Sequence, residues 1–479
     1  MAQLHDLTAV EQAEAVRKGT VSPTELTEHY LGRIERLNET VGAFVTVTPE
    51  LARKQAAEAE AQALAARRDG REAELSPLHG VPVPVKDLCF TAGVRTTLGS
   101  AVYADHVPDT DDHVVTLLRG AGTVMLGKTN TPEFGLPCYT ENSVAPPART
   151  PWDLDRSAGG SSGGAAAAVA SGLSPVAHAS DGGGSIRIPA SVCGLFGIKP
   201  SRGRVPQGPV THDITGLSSG GPLARTVADA AALLDVLAAA VPGAPYAAPA
   251  LPQGATFASY AAREPGTLRV VGLPQPPVPG VELHPDCRAA YDGAVELLRG
   301  LGHQVDEIEL PVDENLRAAF TRVWAVMSTS YPVSPDQEEL LIPLTRYLRA
   351  EGAKVSGPAF AEALYAFRAL GELIAAALHS TYDVILTPTL AQPPALIGGL
   401  RNDADPAAEF AALAAFTPYT PIFNATGQPA VSVPLHWTDA GLPVGVMFGG
   451  RYGDEATLIS LSAQLEAASP WAGRKPSVW

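Results

Sequence analysis

The chain lacks most of the features that would assign it to a specialised class. Its four cysteines, Cys89, Cys138, Cys193 and Cys287, stand far apart with no C-x-x-C pair, so neither a disulfide framework nor a cysteine zinc site is expected. Free thiols, at least some of them in the core, are the expectation. The eleven histidines form no H-E-x-x-H, and no catalytic metal or cofactor is implied. No stretch approaches the roughly 20 uninterrupted apolar residues of a membrane span, and the N-terminus carries acids instead of an apolar leader, which points to the cytoplasm. Charge is sparse, at 18% of residues, and basic charge sparser still: 34 Lys and Arg against 50 Asp and Glu give a net −16. An acidic surface is not drawn to nucleic acid or anionic membrane, which leaves a neutral or amphipathic small molecule as the partner. Internal repeats and sustained heptads are also missing.

What is present is an alternation of helical and extended patterns along 479 residues that are 46% hydrophobic, enough for a large core. Helices are expected from Leu7 to about Arg17, capped by Asp6, and from Ser22, with Pro23 in the first turn, to Asn38. A third spans Pro49 to Arg68. An extended run with two prolines leads to Lys86, which from position alone reads as an edge-strand residue reaching solvent. Further helices are expected at Ala224–Ala240, Asp286–Arg299, Glu314–Met327, Gln337–Ala350 and Pro358–His379. Residues 241–254 read as a surface loop. A β-α-β pattern from Thr267 to Ile308 favours parallel pairing, and a hairpin is expected around Asp439-Ala440-Gly441. The class is α/β.

The most informative stretch runs from Gly159 to Pro189, GGSSGGAAAAVASGLSPVAHASDGGGSIRIP. It holds two glycine-flanked serine sites, Ser161/Ser162 and Ser185, joined by a helix over Gly163–Gly172 and a short strand over Pro175–Ala179. A helix carrying the chain ~13 Å out and a strand returning it ~16 Å permit the two serines to be neighbours. Gly182, Gly183 and Gly184 before Ser185 suit a turn whose N–H groups, from Gly182 to Ser185, point into one pocket as an oxyanion hole. A serine nucleophile needs a base, and the local sequence leaves that base open. His178 sits in the strand and reads as a core residue, whereas Asp181 reads as an ion-pair partner of Arg187. Gly159-Gly160-Ser161-Ser162-Gly163 also matches G-x-S-x-G, which would make Ser161 the nucleophile of a Ser-His-Asp α/β-hydrolase, but no strand pattern precedes it.

GGSSGGAAAAVASG followed by SDGGGSIRIPASVCGLFGIKPSRGRVP resembles the amidase signature family of serine hydrolases. GVPVPVKD, GKTNTPEFG, YDVILTPT and NATGQPAVSVP extend the likeness over most of the chain. The resemblance implies one domain with a large mixed β-sheet covered by helices on both faces. In it, residues 1–68 form a helical layer, 80–225 the signature core, 241–380 a more variable region and 381–479 the closing strands and helix. It implies hydrolysis of a carboxylic amide through an acyl-enzyme, with Ser185 as nucleophile, Ser161 as the bridging serine in a cis peptide and Lys86 as base. Ser162, Asp181 and Arg187 would support the loop. The same resemblance includes the glutaminase subunit of tRNA-dependent amidotransferases, which works with partner proteins. A homodimer is compatible with it, and which amide is cleaved stays open. The chain departs from the common pattern at Gly182, where many members carry a side chain beside the oxyanion hole, and at Thr150.

Overall fold

The computed structural model describes residues 3–309 and 314–479. Two sheets organise it. The smaller has three strands, β1 (Phe44–Val47), β2 (Val85–Lys86) and β3 (Gly127–Thr129), in the order β1-β3-β2. β2 is thus an edge strand, as expected of a segment that follows Pro82 and Pro84, and it pairs parallel to β3 with Lys86 opposite Thr129. The larger sheet has eight strands: β4 (Val176–Asp181), β5 (Phe196–Lys199), β6 (Ser219–Ala224), β7 (Arg269–Gly272), β8 (Gln304–Glu307), β9 (Val384–Pro388), β10 (Ala430–Trp437) and β11 (Pro443–Gly449). Their order is β4-β6-β5-β10-β11-β9-β7-β8, parallel among β9, β7 and β8 and antiparallel elsewhere.

The sheet is buried on both faces. Val431, Val433, Val446 and Phe448 belong to one hydrophobic cluster, whereas the alternate residues Ala430 and Met447 belong to another. Period-two alternation between two apolar layers explains why these strands read as nearly continuous hydrophobic runs. Asp439-Ala440-Gly441 turns β10 into β11, with Trp437 opposite Pro443.

Local signals fixed the helices well where caps are present. Ser22 caps Pro23–Val41 by accepting from the Glu25 N–H, and Asp454 caps Glu455–Ala468 by accepting from that of Thr457. The first helix differs from expectation: Ala9–Lys18 is capped by Thr8, in a reciprocal box with Glu11, while Asp6 closes a preceding turn. The span expected as one helix over 337–350 is a short 3-10 turn at Glu338–Leu340 and a helix at Pro343–Gly352, because Pro343 starts a new helix at its first position. β6 was not expected, since Ser219-Gly220-Gly221-Pro222 carries little strand propensity. It claims Ala224, so the next helix begins only at Val227, behind a Thr226 cap. All four cysteines are free and buried.

Candidate active site

The helix Gly163–Ala170 and β4 act as an out-and-back pair, and they return Ser185 beside the Ser161/Ser162 segment. The Ser162 N–H donates to the Ser185 carbonyl at 3.2 Å, which ties the two serine segments together. The Gly160–Ser161 peptide bond is cis. Gly135, at φ 71°, faces Ser161 so closely that a Cβ there would stand 3.2 Å from Ser161 Oγ and 2.6 Å from Leu88 Cδ1, so a side chain would be strained by the backbone and would press on the serine.

Lys86 does not reach solvent. It is 0% exposed, and its Nζ lies 2.8 Å from Ser161 Oγ, 3.1 Å from Ser180 Oγ and 3.2 Å from the Ser180 carbonyl. Burial pushes the amine down to about 7, against the opposing pull of the Asp181 charge. A neutral amine has two hydrogens and one lone pair. The two Ser180 oxygens can take the hydrogens, which leaves the lone pair for the Ser161 hydroxyl.

The loop holding Ser185 is anchored by a buried ion pair. Arg187 donates to Asp181 through Nε (2.9 Å) and a terminal nitrogen (2.8 Å), and both side chains are fully enclosed. Burial alone would raise the Asp181 carboxyl, but the Arg187 charge and hydrogen bonds outweigh it and hold it well below the usual range. Asp181 also accepts from the N–H groups of Gly184 (2.7 Å) and Ile186 (3.1 Å). The Gly184 N–H is therefore engaged, and of the four N–H groups expected from the sequence to face the pocket, only those of Gly182, Gly183 and Ser185 find no acceptor among the described residues. Gly184 serves by its backbone: at φ 131°, a Cβ would lie 2.4 Å from Thr420 Oγ1.

Several supporting groups escaped sequence reasoning. Ser180 holds Lys86, Thr420 Oγ1 donates to the Gly183 carbonyl at 2.6 Å, and Asn424 bonds both Asp181 and Arg187. Asn424 lies within NATGQPAVSVP, so its motif was visible although its contact was not. Ser162 Oγ donates to the Ser180 carbonyl at 3.1 Å. Beside Gly182, the ring of Trp324 stands 3.5 Å from where a Cβ would be, so an indole occupies the space next to this departure from the common pattern. At the other departure, Thr150 Oγ1 donates to the Val192 carbonyl inside the core.

Lys86, Ser161, Ser180, Gly182 and Ser185 line one cavity of about 630 Å3. Ser185 is 7% exposed and no hydrogen bond joins its hydroxyl to that of Ser161. Catalytic hydrogen bonds are often long before substrate binds and tighten only around it. His178 also lines the cavity, but it bonds neither serine, and burial together with the charges of Lys86 and Lys128 pushes it down to about 3. The α/β-hydrolase alternative loses both requirements. Residues before Gly159 form turns with isolated bridges instead of a strand, and no histidine bonds Ser161. Among the described residues, no group of three or more His, Cys, Asp or Glu side chains is placed to hold a metal ion, and no helix is long and apolar enough to cross a membrane.

A family model described as Amidase matches residues 25–459. The chain is 40% identical to a putative amidase, AmiB2, of Mycobacterium tuberculosis, over 98% of each chain. Among solved structures, 6-aminohexanoate cyclic dimer hydrolase complexed with substrate superposes with a TM-score of 0.89 at 33% identity, covering 99% of this chain and 100% of that one. A bacterial aryl acylamidase belonging to the amidase signature enzymes gives 0.85 at 28% identity, covering 99% and 100%.

Proposed function

The chain belongs to the amidase signature family, and from that premise we propose that this amidase cleaves its substrate through Ser185, Ser161 and Lys86 by way of an acyl-enzyme. The observation that carries the reading is the 2.8 Å contact between the enclosed Lys86 amine and Ser161 Oγ, in a cavity shared with Ser185.

Lys86, neutral above about 7, takes a proton from Ser161 as Ser161 takes one from Ser185. Ser185 Oγ attacks the amide carbonyl, and the developing oxyanion is met by the N–H groups of Gly182, Gly183 and Ser185, where each donor contributes ~3 kcal/mol to the transition state. The C–N bond breaks as Ser161 passes its proton to the departing nitrogen and recovers one from Lys86. The amine leaves, and the acyl group stays on Ser185. A water then attacks the ester carbonyl, giving its proton to the same relay, and the carboxylic acid departs as Ser185 regains its hydroxyl. Asp181 and Arg187 hold the loop throughout.

Incubation of the purified chain with simple amides and esters, followed by rapid quenching, intact mass measurement and peptide mapping, tests this. Wild type gains the mass of one acyl group on the peptide containing Ser185, and Ser185→Ala gains none. Acylation elsewhere, or turnover in Ser185→Ala, would contradict the reading, and hydrolysis only in the presence of partner proteins would favour the amidotransferase subunit.

A further inference from the structure

Two cavities meet at Ser185. The first contains the relay. The second, about 510 Å3, lies between the helices Glu314–Met327, Gly357–Ala377 and Pro406–Phe416. Ser185, Leu136 and Trp324 line both, whereas Lys86 and Ser161 line only the first. Phe320 and Trp324 stack with ring centroids 5.4 Å apart and 18° between planes, and Phe320 approaches Gly183 as Trp324 approaches Gly182. This pair partitions the space over the nucleophile.

The proton transfer gives the two cavities a direction. The departing nitrogen must receive its proton from Ser161, so the nitrogen and its substituent occupy the cavity that Ser161 lines. With the carbonyl oxygen held at the glycine turn, the remaining substituent of the carbonyl carbon points the other way, into the second cavity. The two linings differ in how many polar groups stand among their apolar walls. The first has apolar walls at Leu88, Phe90, Val114 and Phe134, and beside them it offers His178, Gln207, Asp213 and Tyr331. The second offers Leu316, Phe320, Phe367, Leu370, Ile374 and Leu413, and Arg317 is the only charged side chain among its described lining residues, with that side chain exposed.

We infer that the second cavity receives the acyl group and selects uncharged, hydrophobic acyl groups longer than acetyl, while the amine side also accepts polar substituents. This rests on the acyl-enzyme reading of Ser185 and deepens it. Hydrocarbon walls stabilise each methylene they cover, and a polar or charged acyl group would lose its hydration there without finding partners.

The experiment measures kcat/KM for N-acyl-p-nitroanilides from acetyl to octanoyl beside N-alkyl acetamides from methyl to octyl. The expected result is a rise of roughly three- to fourfold per methylene in the acyl series until the cavity is filled, and a clearly weaker dependence in the amine series. Ala414→Trp, a half-buried position on the wall of the second cavity, is expected to cut the octanoyl-to-acetyl ratio by at least about tenfold by filling the space the chain would occupy. A flat or falling acyl series with acetyl still cleaved overturns the assignment, as does a gradient carried by the amine series or a ratio that Ala414→Trp leaves unchanged. If Ser185→Ala cleaves the acetyl anilide as fast as wild type, the acyl-enzyme reading of Ser185 itself fails and this inference falls with it.

Discussion

Lys86 and Lys128 stand on adjacent strands, β2 and β3, both fully buried, and they differ in the company they keep. Lys128 has a carboxylate partner. Its Nζ is 3.5 Å from Asp87, and it also donates to Thr96 Oγ1 and the Cys89 carbonyl. Burial pushes the Lys128 amine down and the Asp87 carboxyl up, and each charge opposes the shift of the other. Lys86 contacts only hydroxyl and carbonyl oxygens, and its charge is supported only at a distance by Asp181. One strand's separation thus divides a lysine tied into the fold by an ion pair from a lysine that can give up its proton near neutral pH. A carboxylate in contact fixes charge, whereas a serine leaves the amine available as a base.

Removing each amine in turn should separate the two lysines by the widest margin. Lys86→Met should lower kcat/KM by about a hundredfold to ten-thousandfold, the range for a lost general base, while costing no more stability than the ~1–3 kcal/mol of hydroxyls left without a partner. Kinetics and denaturant unfolding on the same preparation check both halves. Lys128→Met should do the reverse. It strands Asp87 in the core and should cost ~3–5 kcal/mol of unfolding free energy, with kcat/KM per folded molecule changed only severalfold. Adding Asp87→Asn should recover part of that loss, read as a rise in the urea midpoint. Equal kinetic damage from both lysine variants would erase the distinction.

A finer probe is Ser180→Ala. Its hydroxyl accepts from the charged form of Lys86, so its loss should make that form less stable and move the activity limb to lower pH, by less than about one unit. A shift upward in the pH profile would mean that Ser180 favours the neutral amine instead.

The two lysines also mark where the sequence is readable. Each ends or interrupts a short apolar run, and nothing in the run says whether the partner across the fold is an aspartate or a serine. Lys86 joined the serines only through family resemblance, because some 75 residues and several elements separate them. Ser22 with Pro23, the Asp454 cap and the turn at Asp439-Ala440-Gly441 were legible because their partners lie within a few residues. The helix Arg187–Cys193 was not, since it is under two turns long and carries Pro189 near its start, where proline is tolerated but also reads as a break. β6 was hidden by its glycines, and one of them, Gly221, is required by packing: a Cβ there would lie 2.4 Å from the Ile198 carbonyl on β5. The Phe320 and Trp324 roof depends on how a distant helix docks, which periodicity within that helix does not reveal.

If Lys86 acts as a neutral base, the pH dependence of kcat/KM for an uncharged amide carries its signature. Because the amine must lose its proton to accept one from Ser161, activity should rise with pH through a limb near 7 and level off above it, and the residual activity of Lys86→Met should lack that limb. A profile flat between pH 5 and 9, or a limb of unchanged position that persists in Lys86→Met, would contradict that role.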